Sequence, residues 1–156
     1  MKIFNSQGFG KVYTLRLEPG EDFLDQIELF VTETGLANGV IISGIATFSS
    51  CVMHMVTTTG YPPVEYYEKL DNIALELSAI SGVIANGIPH IHMVVSNKDT
   101  TYAGHCHSGC KVLYLCEVVI AEILEAGFHR VKNECGVYQL VELGRDSITN
   151  VPISEA

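Results

Sequence analysis

At 156 residues, with 47% hydrophobic and 17% charged side chains, the chain has the length and balance of one well-packed domain over 1–156, which excludes a disordered polypeptide. Eighteen acidic residues against nine basic ones leave a net charge of −9, so the average surface repels nucleic-acid phosphates. The nine basic residues are scattered from Lys2 to Arg145 and form no arm or patch from which to contact DNA directly.

The N-terminal MKIFNSQGFGK lacks the apolar core of a signal peptide, and no apolar stretch reaches the roughly eighteen residues of a membrane span. The first strand is expected over Lys11–Leu17, where Tyr13, Leu15 and Leu17 alternate with more polar positions, and Pro19-Gly20 ends it. A helix follows, with Glu21 and Asp22 at the positive end of its dipole, an apolar stripe of Phe23, Leu24, Ile27, Phe30 and Val31, and Gly35 as its stop. From Val40 the run VIISGIATFSSCVMHMV reads as one bent strand or two, with Gly44 as the natural bend. TTTGYPPVEYY reads as a loop. Strands are then expected at IALELSAISGVIA, HIHMVVS, TYAGHCH and KVLYLCEVVIAEI, with weaker ones at FHRV and VYQLVEL. The sum is an α+β domain: a mostly antiparallel sheet of about seven strands, one main helix and smaller ones. The polar tail Ser147–Ala156 reads as a frayed end or an arm reaching to a neighbour.

Four of the six histidines fall within PHIHMVVSNKDTTYAGHCHSG, as two H-x-H pairs. Strand alternation turns His90 and His92 to one side, and His105 and His107 likewise. If Asn97 and Thr100 flank a two-residue turn at Lys98-Asp99, His92 falls opposite His105 and His90 opposite His107, and all four rings share one face. An odd-length loop would separate the pairs. Three or four neutral imidazoles suit Zn²⁺, and also Ni²⁺, Cu²⁺ or Fe²⁺; three would leave one coordination position for water. Cys106 should face away from its neighbouring histidines, and Cys51 and Cys116 read as small core residues. The five cysteines, Cys51, Cys106, Cys110, Cys116 and Cys135, form an odd, unpatterned set that suits the reducing cytoplasm. His54 and His129 have no partner at ligand spacing and read as edge or core histidines. Glu76 and Glu117 sit inside apolar strands, where either orients a ligating imidazole or faces solvent.

The order of motifs resembles the plants-and-prokaryotes-conserved domain, called PPC or PCC. The likeness runs from Leu15 to Ile123 and rests on the R-L-x-P-G-E-D opening, the segment around Glu76 and Gly82, P-H-x-H, the G-H before a strand, and E-V-V-I. The resemblance implies a sandwich-like domain that assembles as a homotrimer and holds zinc through three histidines, here His90, His92 and His105. His107 stands where members carry an apolar residue, which makes it a proton-shuttle candidate, with Glu76, before a ligand. Plant members join the domain to AT-hooks; no R-G-R-P hook is present here.

The expectation is therefore a cytoplasmic, homotrimeric, zinc-binding PPC-domain protein. Two other classes stand beside it: a zinc-dependent hydrolase or lyase acting on a small molecule at the metal, and a DNA-associated regulator.

Overall fold

The computed structural model describes residues 1–142, so the expectation for Ser147–Ala156 lies outside the described residues. Eleven elements follow in chain order: β1 (Phe9–Leu17), α1 (Phe23–Thr34), β2 (Asn38–Phe48), β3 (Cys51–Val56), β4 (Glu65–Leu70), β5 (Leu75–Ala85), β6 (Ile88–Ser96), β7 (Thr101–His107), β8 (Val112–Ile123), β9 (Phe128–Lys132) and β10 (Tyr138–Glu142). The first eight strands form one sheet in the order β1-β8-β2-β5-β6-β7-β3-β4, and β9 pairs with β10 in a separate hairpin. Every ladder is antiparallel.

The sheet is larger than the apolar runs suggested, and α1 is the only helix among the described residues; the smaller helices expected do not occur there. Two strands account for the difference. VIISGIATFSSCVMHMV divides at Ser49-Ser50, not at Gly44, and its halves β2 and β3 join opposite parts of the sheet. Gly44 instead marks a close approach, since a Cβ there would lie 3.1 Å from Ile80 Cγ2. EYYEKL, whose first three residues were expected to end a loop, is the edge strand β4: its charged, tyrosine-rich pattern suits a strand paired on one side only.

Helix α1 is built as its caps dictate. Asp22 is the N-cap, its Oδ1 accepting from the Asp25 N–H at 3.4 Å, and Gly35 takes the left-handed conformation at φ 67° as the C-cap. Asp22 is buried, and its other oxygen accepts the Gly109 N–H at 2.6 Å with the Lys111 ammonium 3.4 Å away. One carboxylate therefore ties the helix to the segment between β7 and β8.

Phe23, Ile27 and Val31 recur one turn apart and bury against one face of the sheet. Phe48, Met53, Ile84, Ile91, Met93, Val95, Val118 and Ile120 line that core, each almost wholly removed from water. Burial of each is worth roughly 1.5–3 kcal/mol. Because strand side chains alternate, the residues between these core positions point to the sheet's other face, and five histidines are among them. The β9–β10 hairpin covers one end of that second face, where Phe128 and Ala126 cluster with Phe4, Val83, Ala85 and Ile123.

Candidate metal centre

The β6–β7 hairpin brings the two H-x-H pairs together as an even-length turn requires. Ser96 lies opposite Thr101 and His92 opposite His105, and the Asn97 carboxamide oxygen accepts from both the Asp99 and Thr100 N–H groups at 2.8 Å, which closes the turn. The ladder stops at His92–His105. Beyond it His90 pairs with Val83 of β5 and His107 with Val52 of β3. His90, His105 and His107 are half-buried and His92 is exposed. Cys106 is buried on the core side, where its sulfur approaches Cys110 Sγ at 3.9 Å, away from the imidazoles.

One ring nitrogen from each of His90, His92 and His105 lies within 4.8 Å of the others. His90 Nε2 and His92 Nε2 are 3.2 Å apart. Two nitrogens bound tetrahedrally to zinc at its usual bond length stand about 3.3 Å apart, so this pair is already spaced for one ion. The His105 ring stands edge-on to both, with centroids 4.8 Å from His90 and 5.4 Å from His92.

Burial, first, and the neighbouring imidazoles, second, push His105 down to about 3. Burial is also the leading cause that lowers His90, His92 and His107 from the ordinary histidine value. At neutral pH these rings are uncharged, the protonation state a metal requires of a histidine ligand. The residues therefore fit a transition ion.

His54 is where the sequence reading and the structure part. The residue has partners after all: β3 lies beside β7 with His54 opposite His105, and His54 Nδ1 is 2.6 Å from His107 Nε2. Gly104 makes that approach feasible, since a Cβ at this position would lie 2.6 Å from the His54 carbonyl oxygen. This is a physical reason for glycine immediately before His105. His129 stays outside the cluster, on β9, with Nδ1 buried and unpartnered among the described residues.

Arg130, in the same short strand, is the other residue the sequence reading missed. It is buried, and its Nη1 lies 3.0 Å from His90 Nδ1. A guanidinium only donates, so His90 Nδ1 accepts and the ring's proton sits on Nε2, the nitrogen facing His92. In this arrangement Arg130 opposes ligation by His90 Nε2.

Glu76 lies opposite Ser96, four residues along β6 from His92, or about 13 Å at the rise of a strand. It lines a separate cleft with Thr47, Ser96, Lys98 and Tyr114. Glu117 stands opposite Arg16 at the far side of the sheet. Neither carboxylate is brought to the histidines within the chain. A smaller cleft of about 240 Å³, lined by Ala79, Ser81, His92, Val94 and Ala103, opens beside His92.

No helix among the described residues is long and apolar enough to cross a membrane. The fold is similar to a solved metal-containing protein from Archaeoglobus fulgidus, with a TM-score of 0.76 and 28% identity over 91% of this chain and 100% of that one. It is also similar to a plant- and prokaryote-conserved protein from Pyrococcus horikoshii, with a TM-score of 0.74 and 21% identity over 92% and 98%. In sequence the chain is 31% identical over 121 residues to a bifunctional protein GlmU of Synechococcus sp. (strain JA-3-3Ab). That match takes 77% of this chain but only 18% of the relative's length. Residues 4–124 match the Plants and Prokaryotes Conserved domain, and with most of its length inside that match the chain belongs to the PCC domain family.

Proposed function

We propose that the protein binds a transition metal, zinc foremost, through His90, His92 and His105. The observation that carries this reading is the convergence of three neutral imidazoles, with two nitrogens 3.2 Å apart. The name of the Archaeoglobus relative, a metal-containing protein, supports it. Protein purified without chelators or a histidine tag should carry at least one ion per chain by plasma mass spectrometry. Occupancy far below one, or equal metal in H90A/H92A/H105A, overturns the reading.

Three protein ligands would leave a fourth position open, and this favours a small-molecule role as a second reading. A bound ion there would supply Lewis acidity and lower the pKa of a water. The chain's own part would be to admit the molecule through the cleft beside His92 and, with no ion between them, to carry protons through His107 hydrogen-bonded to His54. Hydrolase or lyase chemistry is the class this suits, and metal-dependent turnover of ester, amide or phosphoester substrates tests it; no turnover on any of them counts against it. The charge of −9 gives a DNA-associated role no electrostatic support.

We also propose that the chain is a homotrimer of the cytoplasm, where its thiols stay reduced. Val12, Ile45 and Tyr114 lie exposed on the neighbouring strands β1, β2 and β8, apolar side chains that self-association would cover. Light scattering should return three times the 17.0 kDa chain mass. A monomer at micromolar concentration contradicts it.

A further inference from the structure

His54, His105 and His107 form a second donor group beside the first. One ring nitrogen of each lies within 4.8 Å of the other two. His105 stands between the two pairs, its ring centroid 4.7 Å from His54 and 5.1 Å from His107 on one side, 4.8 Å from His90 and 5.4 Å from His92 on the other. We propose that His54 and His107, with His105 shared, hold a second divalent transition-metal ion, so that the five histidines form a two-ion centre.

The pair is arranged as ligands are. His54 Nδ1 and His107 Nε2 share one proton across 2.6 Å, and a tetrahedral ion in the proton's place needs them about 0.7 Å further apart. The other nitrogen of His54, Nε2, faces the Glu65 carboxylate at 3.8 Å. At that distance the contact is electrostatic and not a hydrogen bond, but a negative charge on that side favours the proton on Nε2 and leaves the Nδ1 lone pair turned toward His107. Glu65 is in turn held by the Tyr67 hydroxyl, which donates to its Oε2 at 3.2 Å. The Tyr67 ring packs over both histidines, with centroids 5.4 Å from His54 and 5.1 Å from His107.

An imidazole has two nitrogens, so His105 can serve both ions, giving up its remaining N–H proton to water when the second ion binds. Neutral imidazoles select zinc, nickel, copper or iron over magnesium and calcium. Two dications repel, so the second ion binds more weakly than the first.

The second site uses the reading of the first only in sharing His105, and the test separates the two. Metal-free full-length protein is titrated with Zn²⁺ against a chromophoric chelator, alongside H54A/H107A, the milder single variant H107Q, and H90A/H92A. Two equivalents in the native protein, falling to one in each variant, is the expected result. One equivalent in the native protein that is lost in H90A/H92A and kept in H107Q, or two in H54A/H107A and H107Q, overturns the second site and leaves the first standing. Native uptake of two that survives H90A/H92A but falls in H107Q retains the second site and overturns the first. No uptake overturns both. Circular dichroism of each metal-free variant against the native spectrum shows that the fold is kept.

Discussion

Replacing His105 with alanine should abolish metal binding, with a loss of more than a hundredfold in zinc affinity, whereas His129→Ala should leave it unchanged. His105 is the one ring common to both donor groups. It is placed by pairing on two sides at once, opposite His92 in β6 and opposite His54 in β3. Even residues that only orient a ligand cost 10–100-fold when removed, so loss of a shared ligand should exceed that range. His129 is the matched control, a histidine of the same chain that no donor group includes. Equilibrium dialysis against a zinc buffer reads both variants. Unaltered binding in H105A would mean that the hairpin register has no part in holding the ion.

Arg130→Gln should act in the opposite direction and tighten zinc binding by about tenfold. The guanidinium at 3.0 Å occupies the His90 Nδ1 lone pair and forces the ring proton onto Nε2. Ligation through Nε2 needs the reverse tautomer, whose Nδ1–H would confront a group that can only donate. Metal loading therefore requires Arg130 to withdraw. A hydrogen bond from a charged donor is worth roughly 1.5–3 kcal/mol, and about 1.4 kcal/mol is a factor of ten in affinity. Glutamine offers a carboxamide oxygen that accepts from Nδ1–H and so favours the ligating tautomer. It also removes a positive charge from beside a dication. Competition with a chelator of known affinity measures the change, and equal or weaker binding in the variant would show that Arg130 does not restrain the apo site.

The parts of this centre that were legible in the sequence are those set by local spacing. His90 and His92 share a face because strands alternate, and Asn97 and Thr100 close an even turn that sets His92 opposite His105. Helix α1 was legible from its stripe and its Gly35 stop, although Asp22 proves to be the cap and Phe23 the first helical residue. What could not be read depends on pairing between distant segments. Nothing local in VMHMV says that β3 will add to the outer edge of β7, and that register alone gives His54 its partners. The one local trace was Gly104, whose missing side chain lets the His54 backbone approach. Arg130 was hidden for the same reason, since FHRV carries no sign that the β9–β10 hairpin folds over the end of the sheet beside His90.

The proposed binding of a transition ion by His90, His92 and His105 has a crystallographic test. Anomalous diffraction at the zinc edge from crystals grown with zinc and without chelator tests it most directly. The predicted result is an anomalous peak about 2.0–2.1 Å from one nitrogen of each of the three rings, with Arg130 drawn back from His90. A protein with no peak among these rings, or with Arg130 still bonded to His90 beside a fully occupied ion, would contradict it.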